Sequence, residues 1–312
     1  MFGLFVIAVG LVVLGAEQSV RISATLLRLQ DTVVHVSNAA SEVANHRGHW
    51  EERGKSQERA FQHARIAGQQ PAPPLGLGAA YVLGPEPADE ALRKLDQLLP
   101  EWSHPGYVLG RARVLAMLDR YEEAWPFALE ASERLRELTG DDGGEQVADI
   151  ATLAGDFETA AAYLRVHCDR LEAQHRFNNL STYAPMLGRS LCELGRYSEA
   201  EPLANQGREL GHEQDLATQA LWRQVQARVL ADRGQHTDAE TLAREAVAII
   251  ERTDRLNFQG DAFCDLAEVL SAGGRSDEAA VTLGQALHRY ERKRNLAMAR
   301  RLGGRLAELQ PA

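Results

Sequence analysis

Three groups of residues in this chain have the types found in catalytic or ligand sites. Gly54-Lys55-Ser56, preceded by Gly48, ends like a phosphate-binding loop, but that loop needs its first glycine at position 49, where His49 stands. Trp50, Glu51 and Glu52 would also crowd and repel the phosphates such a loop cradles. His46 and His49, beside Glu51 and Glu52, offer metal-ligand types, yet they are not spaced as HExxH and fall on a predicted turn. Asp141-Asp142-Gly143-Gly144-Glu145 lacks the alternating oxygen ligands of a calcium loop and reads as a connection. No GxSxG, no paired nucleophile and base and no glycine-rich dinucleotide turn occurs. Cys168, Cys192 and Cys264 are widely separated, odd in number and without CxxC spacing, which argues against a disulfide framework or a zinc site and for a reducing cytoplasm. The sequence therefore predicts no enzyme, no metal and no cofactor.

The elements that carry these residues are repeats. One turn signature recurs five times: Asp119-Arg120-Tyr121-Glu122-Glu123-Ala124, Gly155 to Ala160, Gly195 to Ala200, Gly234 to Ala239 and Gly274 to Ala279. Its alanines are 36, 40, 39 and 40 residues apart, the spacing of helical-hairpin repeats. Glycine accepts the backbone angles a side chain resists just past a first helix, and the acidic or hydroxyl residues after it suit the first turn of a second. Seven residues before the glycine position the first helix is small in every copy, at Ala112, Ala148, Gly188, Ala227 and Ala267. Seven residues beyond the alanine the second helix is small at Ala131, Gly207, Ala246 and Ala286, with His167 as the exception. Small residues two turns apart let helix axes approach closely.

This spacing resembles the tetratricopeptide repeat, over roughly residues 105 to 290. Weaker copies precede it at Gly48-His49-Trp50-Glu51-Glu52 and at Gly84 to Ala91, so about seven hairpins are expected. The resemblance implies an all-α, right-handed α-solenoid. The expected divisions are an apolar segment over 1–30, degenerate hairpins over 31–104, repeats over 105–290 and a capping helix within 291–312. More narrowly, Gly84 to Ala91, Ala220 to Arg223, Glu240 to Ala246, Asp265 to Leu270 and Tyr290 to Lys293 are similar to the C-terminal repeat region of bacterial multidomain ATPases, class III adenylate or guanylate cyclases and transcriptional regulators. None of that catalytic machinery is visible in this chain.

Composition agrees with a helical stack. The 312 residues are 45% apolar, rich in Ala, Leu, Glu and Arg, and sparse in aromatics. A net charge of −10 opposes attraction to phosphate backbones, so nucleic acid is not an expected partner. The basic residues Arg289, Arg292, Lys293, Arg294, Arg300, Arg301 and Arg305 read as the C-terminus of one helix and the wet face of a capping helix, against a docking patch for an acidic partner. Phe2 to Ala16 is a fifteen-residue apolar run, short of the roughly 20 that span a bilayer and without preceding basic residues. It admits three readings: a buried cap, a membrane anchor, or the start of a truncated reading frame.

Function then rests on the groove. In the resembled family the inner surface is lined by fixed positions of each first helix. Carried onto this chain, those positions give Arg113, Asp149, Arg189, Arg228 and Glu268 one turn beyond Leu109, Glu145, Pro185, Gln224 and Cys264. Residues so spaced share one stripe and can address an extended ligand. The expected site comprises Arg113, Asp149, Arg189, Gln224, Arg228 and Glu268, with the arginines gripping carboxylates or pairing with acids such as Glu193. The Lys and Asn clamp of chaperone-binding repeats is absent. The leading expectation is a non-enzymatic scaffold for a protein or peptide; the alternative is a regulatory segment of a signalling ATPase or cyclase.

Overall fold

Each of the five turn signatures ends its first helix in the same left-handed kink. In the computed structural model, Gly155, Gly195, Gly234 and Gly274 take φ of 70° to 81°, and Asp119, which stands where the others have glycine, takes 64°. The next N–H reaches back to the helix, Arg120 to Leu115, Asp156 to Ala151, Arg196 to Leu191, Gln235 to Leu230 and Arg275 to Leu270, at 2.8–2.9 Å. This six-to-one bond satisfies a carbonyl that a helix C-terminus leaves open. At Gly195, Gly234 and Gly274 nothing lies within 4 Å of where a Cβ would stand, so glycine is required there by backbone angle and not by space. Gly234→Ala is accordingly expected to lower stability by about 1–2 kcal/mol, read as an earlier midpoint in a urea titration at unchanged helix content.

The structure describes residues 48–66, 75–99 and 104–309, and among them the only regular elements are fourteen helices. They are α1 (Trp50–Ile66), α2 (Leu75–Leu83), α3 (Ala88–Leu98), α4 (Pro105–Met117), α5 (Tyr121–Thr139), α6 (Gly144–Ala154) and α7 (Phe157–Ala173). The rest are α8 (Phe177–Glu193), α9 (Tyr197–Leu210), α10 (Leu216–Asp232), α11 (His236–Ile250), α12 (Leu256–Ala272), α13 (Ser276–Lys293) and α14 (Leu296–Leu309). Six hairpins pair α2 with α3 through α12 with α13. α1 follows the Gly48 turn; the residues before it, with the apolar run Phe2 to Ala16, and most of the break at 68–76 fall outside the described residues.

Small side chains form the seam, because only they let two helix axes meet at this distance. Ala124, Ala160, Ala200, Ala239 and Ala279 are all 1% exposed or less, and so are Ala112, Ala148, Ala227 and Ala267. At Gly207 any Cβ would collide with the Pro185 ring and the Ser181 carbonyl. His167, the exception, is buried edge-on against Tyr183 with ring centroids 4.7 Å apart. Ala239→Leu and Ala279→Leu should each cost about 1–3 kcal/mol by overpacking this seam. Unchanged urea midpoints would show that these alanines do not face another helix.

The stack then closes on itself. Asp254, in the turn before α12, accepts the α1 N-terminal amides of Trp50 at 2.8 Å and Glu51 at 2.7 Å, the anchorage a carboxylate gives a helix start. Lys293, at the end of α13 and 1% exposed, donates to the carbonyls of Tyr81 at 3.2 Å and of Gly84 and Glu86 at 2.7 Å each. Arg294 pairs with Asp89. The last hairpin is thereby locked to the second across more than 200 residues of sequence.

Of the basic residues near the C-terminus, Arg292 and Lys293 end a helix as expected and Arg292, Arg294 and Arg300 are exposed, but several of the set also reach groups on other helices. Arg289 meets Glu251 at 2.7 Å, Arg300 meets Asp119 at 2.7 Å and Arg305 meets Glu268. Arg301 donates to the last carbonyls of α6, Leu153 at 2.6 Å and Thr152 at 3.2 Å. α14 thus turns back into the ring and packs on α4, α6 and α13, with Leu302 at 1% exposure.

Candidate functional site

The first helices α4, α6, α8, α10 and α12 carry the expected groove residues, of which Arg113, Asp149 and Arg189 line recesses of the inner face. They are brought together chiefly with acids of other repeats. Arg113 pairs with Asp149 one repeat on. Arg189 donates through Nε to Asp265 at 2.8 Å and lies 3.4 Å from Asp261. Arg228, 8% exposed, pairs with Glu193, donates to the other Asp265 oxygen at 3.2 Å and to the Cys192 carbonyl at 3.3 Å. Glu268 receives Arg305 of α14, and Gln224 is buried at 1% exposure.

Position in this network sets the charge states. Burial raises the Asp149 and Asp261 carboxyls above the ordinary aspartate range, against the pull of Arg113 and Arg189 respectively. Glu193 is also penalised by burial, but Arg228 outweighs that and leaves it below its usual value. Asp265, 1% exposed, holds two guanidiniums at once. Tyr290, fully buried, donates its hydroxyl to Asp261 at 2.7 Å. Burial pushes the three cysteine thiols up to about 12, far from the thiolate that nucleophilic chemistry needs.

One cluster has metal-ligand types. Donor atoms of Asp141, Glu145 and His167 lie within 4.8 Å of one another. Arg170 already holds Asp141 at 2.6 Å, and Arg176 approaches it at 3.9 Å, so two guanidiniums stand where a cation would be repelled. Gly54-Lys55-Ser56 lies inside α1, where Lys55 pairs with Glu51 at 2.5 Å, and forms no phosphate cradle.

Three recesses follow the inner face. The widest, about 620 Å³, opens between the N-terminal ends of α1, α8 and α10, and Arg255, the N-cap residue of α12, stands in its wall. Arg255 also lines a second recess of about 70 Å³ with Arg113 and Asp149. The third, about 110 Å³, adjoins through Asp149, Asp261 and Phe258 and includes Arg189. Met298 of α14 covers the second and third. Arg255 was not among the expected site residues because it precedes the first helix of its repeat, outside the positions the resemblance supplies. Burial pushes its guanidinium down to about 10, only partly opposed by Asp215.

The connected turns, seams and inner face decide the architecture. The fold is a tetratricopeptide-like solenoid. Residues 227–253 and 260–285 each match a family model described as tetratricopeptide repeat. No curated protein matches the sequence. A chain of the crystal structure of the APC/C hetero-tetramer Cut9-Hcn1 superposes with a TM-score of 0.62 at 12% identity, over 92% of this chain and 56% of that one. NprR, crystallised in complex with its cognate peptide NprX, superposes with a TM-score of 0.54 at 14% identity, over 87% of this chain and 82% of that one. This chain thus spans little more than half the length of the first, and at such identities the likeness is one of fold. These findings support the repeat; they do not bear on the ATPase- and cyclase-linked regulators of the narrower resemblance. No helix among the described residues is long and apolar enough to cross a membrane.

Proposed function

We propose that this chain is a non-enzymatic solenoid that binds a protein or peptide segment on its concave side, entered through the 620 Å³ recess. The observation that carries the reading is the series of recesses sharing walls along the inner face, of which only the first stands clear of α14. Its size falls within the roughly 300–1,000 Å³ of ligand sites, and its lining is rich in amide and hydroxyl groups, from Asn178, Asn179, Thr182 and Tyr183. Such groups match the alternating donors and acceptors of a peptide backbone. Two proteins of like fold are crystallised with partners, one in a hetero-tetramer and one with a peptide, which supports the same use here. The −10 net charge favours a protein partner over nucleic acid, and three free, buried cysteines suit a reducing cytoplasm. The expected groove residues contribute as the inner wall: Arg113, Asp149 and Arg189 line the second and third recesses.

Asn179→Trp tests the reading, since Asn179 is exposed and its replacement fills the recess without disturbing the seam. Affinity capture followed by mass spectrometry should recover a partner with the parent chain and lose it with the folded variant. An identical set of captured proteins would place the binding surface elsewhere.

A further inference from the structure

Among the arginines on the first helices of the repeats, Arg113, Arg189 and Arg228 meet carboxylates. Arg255, at the N-cap of α12, makes no ion pair among the described residues, and its Nε is buried without a hydrogen-bond partner. Its guanidinium stacks 3.5 Å from the Phe258 ring centroid and 5.6 Å from that of Trp50. A cation withdrawn from water with no carboxylate in direct contact is costly, and the more distant Asp215 and Asp149 and an aromatic face return only part of that cost. A carboxylate nearby is already engaged: Asp215 accepts the Thr218 amide at 3.2 Å and the Thr218 hydroxyl at 2.9 Å. The first turns of α8 and α10 also border the recess.

Resting on the peptide-binding reading, we propose that the recess is a carboxylate site in which Arg255 binds an acidic group of a short peptide. Arg255 has the fork that a carboxylate fills with two parallel hydrogen bonds. Asn178 and Asn179, which line the same recess, hold the adjoining peptide backbone. The carboxylate comes either from the peptide's C-terminus or from an Asp or Glu side chain, and the two sources share this chemistry.

The test uses the full chain on arrays of random hexapeptides anchored by their N-termini. One arm ends in free carboxylates and contains no acidic residue, a second ends in amides and contains acidic residues, and a third ends in amides and contains none. The expected result is binding in the first arm or the second, which identifies the source, and none in the third. The best hexapeptide, measured by fluorescence anisotropy, should bind Arg255→Met about 10- to 100-fold more weakly, with partial recovery in Arg255→Lys. Unliganded Arg255→Met should keep or raise its melting temperature, because it removes a buried charge that has no ion-pair partner among the described residues. Silence in all three arms overturns the peptide-binding reading and the carboxylate site with it. Equal binding in the third arm, or an affinity unchanged by Arg255→Met, overturns the carboxylate site alone. A lowered melting temperature of the unliganded Met variant would show that Arg255 already has an internal partner, and would also overturn it.

Discussion

Asp265→Ala is expected to lower the unfolding free energy by about 3–5 kcal/mol, the effect of leaving buried charges without their partner. Asp265 is 1% exposed and accepts Nε of Arg189 at 2.8 Å through one oxygen and Nη1 of Arg228 at 3.2 Å through the other. Its loss leaves Arg228 with Glu193 and Arg189 with the more distant Asp261 at 3.4 Å. Two guanidiniums in a water-poor interior would then share less negative charge, and each has only limited access to solvent in compensation. Urea unfolding followed by helical circular dichroism measures the loss. In a double-mutant cycle, Asp265→Ala combined with Arg228→Met should cost less than the sum of the single changes, because the second removes the charge the first stranded. Strict additivity, or a loss below about 1 kcal/mol for Asp265→Ala, would mean that the arginines do not depend on it.

Lys293→Met is expected to cost a similar amount, about 3–5 kcal/mol, and to change the shape of the molecule. The Lys293 ammonium has three N–H groups and finds three carbonyls, those of Tyr81, Gly84 and Glu86. Burial pushes its pKa down to about 7 against the opposing pull of Glu86, and the three acceptors require the fully protonated form. Methionine fills similar volume but leaves all three carbonyls without a donor, and each buried polar group so left costs about 1–3 kcal/mol. Because this lysine joins the end of α13 to the turn between α2 and α3, small-angle scattering should show a larger radius of gyration as the ring opens. An unchanged radius with unchanged stability would assign closure to Asp254 and Arg294 instead.

Much of the fold was legible because its rules are local. A left-handed glycine, an acidic first turn and an alanine at fixed offset act within one hairpin, so reading five copies sufficed to locate five turns. The same signature at Gly48 and Gly84, weaker by one or two residues, still marked the starts of α1 and α3 within the described residues. Even the departures were informative: Asp119 adopts the glycine conformation at φ 64°, and His167 is accommodated by Tyr183.

The candidate site was legible only as a stripe. Arg113, Arg189 and Arg228 occupy one position of the repeat and so share a face, yet whether they meet a ligand or an internal acid depends on which carboxylates adjacent repeats deliver. Arg189 and Arg228 converge on Asp265, which is 76 and 37 residues away in the chain. Arg255 stood out only once its neighbours' carboxylates were seen to be engaged elsewhere.

The amino-acid sequence by itself determined the hairpins, their turns and their alanine seams, since backbone angles and contacts over a few residues are properties of short segments. Closure of the ring by Lys293 and Asp254, the return of α14 into the concave side and the lack of an ion-pair partner for Arg255 among the described residues were decided by the tertiary structure alone. Each depends on the summed rotation of many stacked hairpins, a quantity that no single repeat encodes and that brings together groups more than 200 residues apart.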